Sequence, residues 1–300
     1  MGSTSSPGTT GRPAADGDGL AEVRLSEEHI PGCVALVEEV RWDQTAADWR
    51  TMLALGEGFG LVDPQGRLVA TSLALPFDSG GFGWISMVLV TESHRRKGLA
   101  TRLMASAMKV LESRGLVAIL DATPAGREVY RLLGFQDTWG IERMQCLAPP
   151  RLPAAPPVAV RPMTDADWHA VCALDAEAFR ADRSDLIAAL RARLPQAAMV
   201  AEKGGRITGF LLGRDGRLAS DLGPCVADSE KTAVALLARA LAVVPAPVFL
   251  DMPAQHAAVG EWLRTAGFSL QRPYTRMLLE RREPFNDVTR LFAIAGPELG

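Results

Sequence analysis

The chain has 300 residues, 48% hydrophobic and 22% charged, and its 32 lysines and arginines against 35 aspartates and glutamates give a net charge of −3. That length exceeds one ordinary core and predicts two domains of roughly 130 to 150 residues each. A near-neutral balance excludes a broad basic field for nucleic acid, no run of roughly 18 apolar residues predicts a membrane-spanning helix, and the scattered cysteines, Cys33, Cys146, Cys172 and Cys225, indicate neither a metal site nor a disulfide framework.

Residues 1–19 are rich in Gly, Ser, Thr, Pro and Asp and lack the basic start and apolar stretch of a signal peptide, so a disordered leader is expected. The missing signal and unpaired thiols predict a reducing, cytoplasmic setting. Residues 21–25 alternate enough for a first strand, and Ser26 can cap a helix carrying Ile30, Val34, Val37 and Val40. Trp42 and Trp49 flank a further helical stretch. Residues 58–62 and 67–75 read as strands joined by Asp63-Pro64-Gln65-Gly66, with proline and glycine where a tight hairpin needs them. The apolar run 84–90 predicts a central strand, 101–114 an amphipathic helix, 118–121 a short buried strand, and 126–133 a helix stopped by Gly134. Prolines 149, 150, 153, 156 and 157 sustain neither helix nor central strand, which makes 148–157 a linker. The pattern then restarts with a strand at 158–162, a cap at Thr164, a helix through Trp168, Val171 and Leu174, and strands at 199–202 and 207–212 around Gly204-Gly205.

Between the central strand and its following helix lies Arg95-Arg96-Lys97-Gly98-Leu99-Ala100. A helix start gathers unpaired backbone N–H groups with partial positive charge, three basic side chains add full charges, and Gly98 lets a ligand approach the backbone. This predicts a pyrophosphate cradle. No Gly-Lys-Ser/Thr ends it, and only one of the three glycines of the dinucleotide fingerprint is present, so both of those nucleotide readings drop out.

Arg95-x-x-Gly98-x-Ala100 after a hydrophobic strand resembles the acyl-CoA-binding signature of the GNAT acetyltransferases, Gln/Arg-x-x-Gly-x-Gly/Ala. Val129-Tyr130-Arg131-Leu132-Leu133-Gly134-Phe135 is similar to the family's second signature, a tyrosine-bearing helix closed by Gly-Phe. The resemblance implies an α/β (α+β) fold with a mixed, mostly antiparallel twisted sheet flanked by helices in each of two GNAT-like domains. It implies acetyl-CoA as acyl donor, held by Arg95, Arg96, Lys97, Gly98, Leu99 and Ala100, and by backbone groups of Val88, Leu89 and Val90 that bond the pantetheine arm and thioester carbonyl.

Tyr130 is the candidate general acid, since a phenol of pKa about 10 can protonate a thiolate whose conjugate acid lies near 8.5. Several related enzymes carry an asparagine seven residues earlier, where this chain has Thr123. A primary amine is neutral in only about one molecule in 2,500 at pH 7 and needs a proton exit, but Glu92 and Asp121 read more readily as solvated or capping carboxylates than as bases and His94 beside the cradle is ambiguous, so no base is named. Trp84, Trp42 and Phe77-Asp78 could line an acceptor pocket, and Asp251 closes an apolar strand.

In the second half, Trp262-Leu263-Arg264-Thr265-Ala266-Gly267-Phe268 echoes the second signature without its tyrosine, and Leu222-Gly223-Pro224-Cys225-Val226-Ala227 stands where the cradle is expected. The resulting expectation is a catalytic N-acetyltransferase domain at 20–147, the linker at 148–157, a degenerate GNAT-like domain at 158–282 and a tail at 283–300. The acceptor is expected to be a primary amine of a small molecule or a protein terminus, attacking directly in a ternary complex, with no nucleic-acid or membrane partner and with oligomeric state, a homodimer included, left open. A non-catalytic acyl-CoA sensor is the alternative, and Tyr130 discriminates between the two.

Overall fold

The computed structural model describes residues 19–300, so the expected leader lies, apart from Gly19, outside the described residues. The first half runs β1 (Ala21–Arg24), α1 (Ile30–Glu39), α2 (Ala46–Leu55), β2 (Glu57–Val62), β3 (Leu68–Phe77), β4 (Phe82–Val90), α3 (Leu99–Ser113), β5 (Val117–Ala122), α4 (Pro124–Leu132) and β6 (Phe135–Cys146). After the linker follow β7 (Ala159–Pro162), α5 (Trp168–Phe179), α6 (Ser184–Arg193), β8 (Met199–Lys203), β9 (Arg206–Asp215), β10 (Ser220–Ala227), α7 (Glu230–Leu241), β11 (Val248–Pro253), α8 (Ala257–Thr265), β12 (Ser269–Leu279) and β13 (Leu291–Ala293). The two halves repeat one order of elements, as the restarting pattern predicts.

Local chemistry explains several boundaries. Ser26 and Thr164 both start their helical segments with reciprocal capping boxes, closed by His29 and Asp167. Asp63 accepts hydrogen bonds from the amides of Gln65 and Arg67 and so ties the β2–β3 turn. On α3 the buried residues Leu99, Leu103, Met104, Ala107, Val110 and Leu111 form one helical stripe against the sheet.

The halves are joined through one 13-stranded, mostly antiparallel sheet, ordered β1-β2-β3-β4-β5-β12-β6-β11-β10-β9-β8-β7, with β13 beside β10. Each half lends its last long strand to the other. β12 pairs with β5 from Thr275↔Ala122 to Leu278↔Ile119, while β6 pairs with β11 from Ile141↔Pro253 to Cys146↔Val248. β6 and β12 then pair with each other along the axis relating the halves. One hydrophobic cluster accordingly draws Trp49, Leu75 and Trp84 from the first half together with Phe179, Leu186 and Leu190 from the second.

Residues 283–300, expected as a tail, are folded into this body. Asn286 is buried and bridges Arg276 Nη1 to the Phe179 carbonyl, β13 joins the sheet, and Ala295 and Leu299 enter the interdomain core. The cause is the apolar run Leu291-Phe292-Ala293-Ile294-Ala295, whose burial outweighs the freedom of a loose terminus.

Candidate functional site

Strand β4 carries a bulge. Thr71 pairs with Leu89 but Leu73 with Ser86, so β4 holds one extra residue over this step, and Met87 takes a positive φ of 51° while its carbonyl accepts from Thr71 Oγ1 at 2.8 Å. The bend turns β4 away from β5. The two pair in parallel only from Phe82↔Val117 to Trp84↔Ile119, and beyond that they open into a wedge. Backbone groups of β4 on this side, where the resemblance places Val88, Leu89 and Val90, have no ladder partner in β5. Val88 borders the wedge, Leu89 is packed in the core, and the Val90 carbonyl accepts from Arg95 Nε at 3.2 Å.

The chain leaves β4 by a short 3-10 turn, Glu92–His94, and enters α3 through the basic segment. Arg96 and Gly98 both adopt left-handed conformations, with φ of 61° and 76°, and Arg95, Arg96, Lys97 and Gly98 are exposed. A Cβ on Gly98 would meet nothing within 4 Å, so within the chain the glycine answers to its φ alone. Leu99 is anchored in the core and Ala100 is half-buried, and the first-turn amides of α3 have no intrahelical partner.

At the floor of the wedge is a cavity of about 110 Å³, walled by Ile85, Ser86, Met87 and Val88 of β4 and by Leu120 and Asp121 of β5. Tyr130 and Thr123 reach it from α4, and Trp42, Gln44, Arg143, Tyr274, Pro297 and Glu298 close its far side. Thr123 caps α4, its hydroxyl accepting from the Gly126 amide at 3.2 Å. Burial pushes the Tyr130 phenol up to about 12, so it holds its proton at any physiological pH. Helix α4 is fixed to β6 by Arg127 and Arg131, which both bind Asp137.

Six of the residues weighed from sequence go elsewhere. Phe77 and Trp84 sit in an aromatic cluster with Phe82 and Phe179, because β4 turns that face toward the second half, and Asp78 pairs with Arg114 on the surface. Only Trp42 of that set reaches the cavity. Asp121 reaches it too, but its carboxylate is clamped by Arg276 at 2.8 Å through both oxygens. Desolvation raises its pKa and Arg276 opposes the rise. Glu92 and His94 belong to the turn before the cradle and do not line the cavity, and Asp251 forms a buried bidentate pair with Arg143 at 2.8 and 2.6 Å.

Sequence reading did not find Gln44, Arg143, Tyr274, Pro297 or Glu298. Their signal is non-local: they converge only because β6 and β12 exchange places and the end of the chain returns. Among the described residues Gln44 Oε1 and Ser86 Oγ are buried without a hydrogen-bond partner.

The second half has the same plan with different chemistry. Gly223-Pro224 lies inside β10, at a register shift between Leu222↔Gly213 and Cys225↔Leu211 that mirrors the bulge of β4. The segment 222–227 is therefore central strand and not the cradle position, which falls on Asp228-Ser229. There the helix start is already satisfied: Ser229 Oγ accepts from the Thr232 amide, and the Asp228 carboxylate accepts from Thr232 Oγ1 at 2.7 Å. A carboxylate in place of three basic residues repels a pyrophosphate. Five residues before Phe268, the counterpart of Tyr130 is Leu263, which is fully buried.

Models of the acetyltransferase (GNAT) family match residues 26–135, and of the acetyltransferase (GNAT) domain residues 171–293. An uncharacterized N-acetyltransferase of Bacillus subtilis, YitH, is 22% identical over 93% of this chain and 98% of its own length. A structure from Pyrococcus horikoshii, assigned as an acetyltransferase, superposes with a TM-score of 0.77 at 18% identity over 94% of this chain and 96% of that one. A GCN5-related N-acetyltransferase from Sphaerobacter thermophilus gives 0.65 at 18% identity over 90% and 96%. A tandem GNAT protein from the clavulanic acid biosynthesis pathway gives 0.59 at 15% identity over 86% and 98%.

Proposed function

Since the chain belongs to the GNAT superfamily and carries two GNAT domains, we propose that its first half is an acetyl-CoA-dependent N-acetyltransferase for primary amines and that its second half transfers nothing. The observation that carries this is a convergence: the basic left-handed turn at the start of α3, the unpaired edge of β4 and the Tyr130 phenol all border one wedge, whose counterpart in the second half has an acidic turn and no tyrosine.

In this reading Arg95, Arg96, Lys97 and the first-turn amides of Gly98, Leu99 and Ala100 hold the pyrophosphate, and β4 at Val88, Leu89 and Val90 pairs with the pantetheine arm. The acceptor nitrogen attacks the thioester carbonyl carbon as the free amine, the C–S bond breaks, the sulfur leaves as thiolate, and the proton released from nitrogen passes to solvent. Direct attack is favoured because no cysteine lines the cavity and burial raises three of the four thiols. A phenol at about 12 yields its proton to a thiolate of conjugate pKa about 8.5 only at a cost of roughly 5 kcal/mol. Tyr130 therefore stabilises the leaving sulfur as a hydrogen-bond donor, and the thiol is fully protonated once CoA reaches solvent.

The test is an acceptor screen by mass spectrometry with acetyl-CoA and a broad amine panel. Mass gain of one acetyl on an amine, lost in Tyr130→Phe, supports the reading. Tight acetyl-CoA binding with no amine acetylated would favour a sensor.

A further inference from the structure

The wedge between β10 and β11 is already filled. β10 and β11 pair only at Ser220↔Val248 and Asp221↔Phe249, and in the space beyond them β13 pairs with β10 at Cys225↔Ala293 and Val226↔Leu291. The Ala227 amide donates to the Arg290 carbonyl and the Ile294 amide to the Asp251 carbonyl, so this segment bonds both walls. It occupies the groove that in the first half is open for a ligand.

From there the chain crosses to the first half. Gly296 has φ of +137°, the amides of Leu299 and Gly300 both donate to its carbonyl at 3.0 Å, and a Cβ on it would lie 3.0 Å from Glu298 Oε2. This turn sets Pro297 and Glu298 into the cavity wall. Glu298 is 4% exposed, and its Oε1 accepts from Arg214 Nη2 at 2.7 Å. Arg214 also pairs with Asp48 and Asp221, and Arg143, which lines the same cavity, pairs with Asp251. Across the same cavity stand the two unpartnered oxygens, Gln44 Oε1 and Ser86 Oγ, on residues 3% and 7% exposed.

A carboxylate and an amide oxygen accept hydrogen bonds and cannot donate them, and a hydroxyl accepts as readily as it donates. Trp42, Met87 and Tyr274 supply apolar walls around them. The ligand group that completes this set is a cation with several N–H donors on an apolar stem. A cavity of about 110 Å³ has the liquid volume of three to four waters at about 30 Å³ each, enough for an ammonium head and a few methylenes.

We infer that residues 290–300 close the second half's cleft with β13 and carry Glu298 into the first half's cavity, where Glu298, Gln44 and Ser86 form the subsite for the primary ammonium of the acceptor. The inference rests on the acetyltransferase reading for its purpose, but the subsite can be tested without acetyl-CoA.

The probe is n-butylammonium, with 1-butanol and butyrate as controls, followed by saturation-transfer NMR on the full chain. Wild type binds the amine in preference to both controls, and Glu298→Gln and Gln44→Leu each weaken that binding tenfold or more, while Glu298→Asp retains part of it. Gln44→Leu removes an unpartnered oxygen together with the Gln44 side-chain hydrogen bond to Glu298 and leaves the Arg214 pairs intact, so it reads the subsite even if Glu298→Gln misfolds. Equal binding of 1-butanol or butyrate, or unchanged amine binding in both Glu298→Gln and Gln44→Leu, overturns the assignment. In turnover, Glu298→Gln raises the amine KM at least tenfold with acetyl-CoA affinity unchanged. Failure of the wild type to bind acetyl-CoA would instead overturn the acetyltransferase reading and leave the amine-binding result decisive for the subsite.

Discussion

In the proposed reading the chemistry turns on Tyr130 and Gly98, and sequence alone singles out both because each sits in a short motif on a locally predictable element. Tyr130→Phe is expected to lower kcat about 100-fold, in the range of a lost hydrogen-bond donor to developing negative charge, with acetyl-CoA affinity within twofold of wild type by equilibrium dialysis. With the phenol held at about 12, the pH–rate profile should show no falling limb from Tyr130 below about pH 11. At Gly98 a side chain has room in the free protein but is strained by the φ of +76°, at a cost of about 1 to 2 kcal/mol. Gly98→Val should fold with a slightly lower Tm and lose tenfold or more in acetyl-CoA affinity. Unchanged affinity would show that nothing approaches this backbone. Glu298 gave no such warning in the sequence, being one glutamate between a proline and a leucine, with meaning only where the chain end returns.

Among elements, those set by local periodicity matched expectation: α3 has its apolar stripe, β2 and β3 their hairpin turn, and α4 its glycine stop. Misreadings came where local signals mislead. Gly223-Pro224 looks like a turn but forms a bulge inside β10, which displaced the expected cradle position by about one helical turn's worth of residues, and β13 is a three-residue strand too short for a period-2 signal. Helix α4 offers a pH test. Asp137 is held down at about 2, first by its hydrogen bond with Arg127 and then by Arg131, below the usual value of about 3.9. A lowered folded value stabilises above the unfolded pKa and is lost as pH falls from about 4 through 2. Asp137→Asn should therefore flatten that part of a Tm-against-pH curve. The seam between β5 and β12 is more demanding, because Arg276 lies buried between Trp84 and Trp139 at 4.4 and 4.3 Å with Asp121 as its carboxylate partner. Asp121→Asn strands that charge and should cost roughly 3 to 5 kcal/mol in urea unfolding.

For the whole molecule, two repeats and a linker were readable from restarting patterns and clustered prolines, but their union was not. Nothing in the local sequence of β6 or β12 says which half it will pair with, since strand exchange is decided by contacts more than a hundred residues apart. The exchange makes each half incomplete without the other. Calorimetry should show one cooperative transition with equal calorimetric and van't Hoff enthalpies, and two separate transitions would contradict a shared sheet. The same architecture leaves one wedge open and fills the other, which reduces the account to a stoichiometry. Isothermal titration of the full chain with acetyl-CoA should give one site per chain, weakened tenfold or more in Gly98→Val, and two sites per chain, or one whose affinity that substitution leaves unchanged, would contradict it.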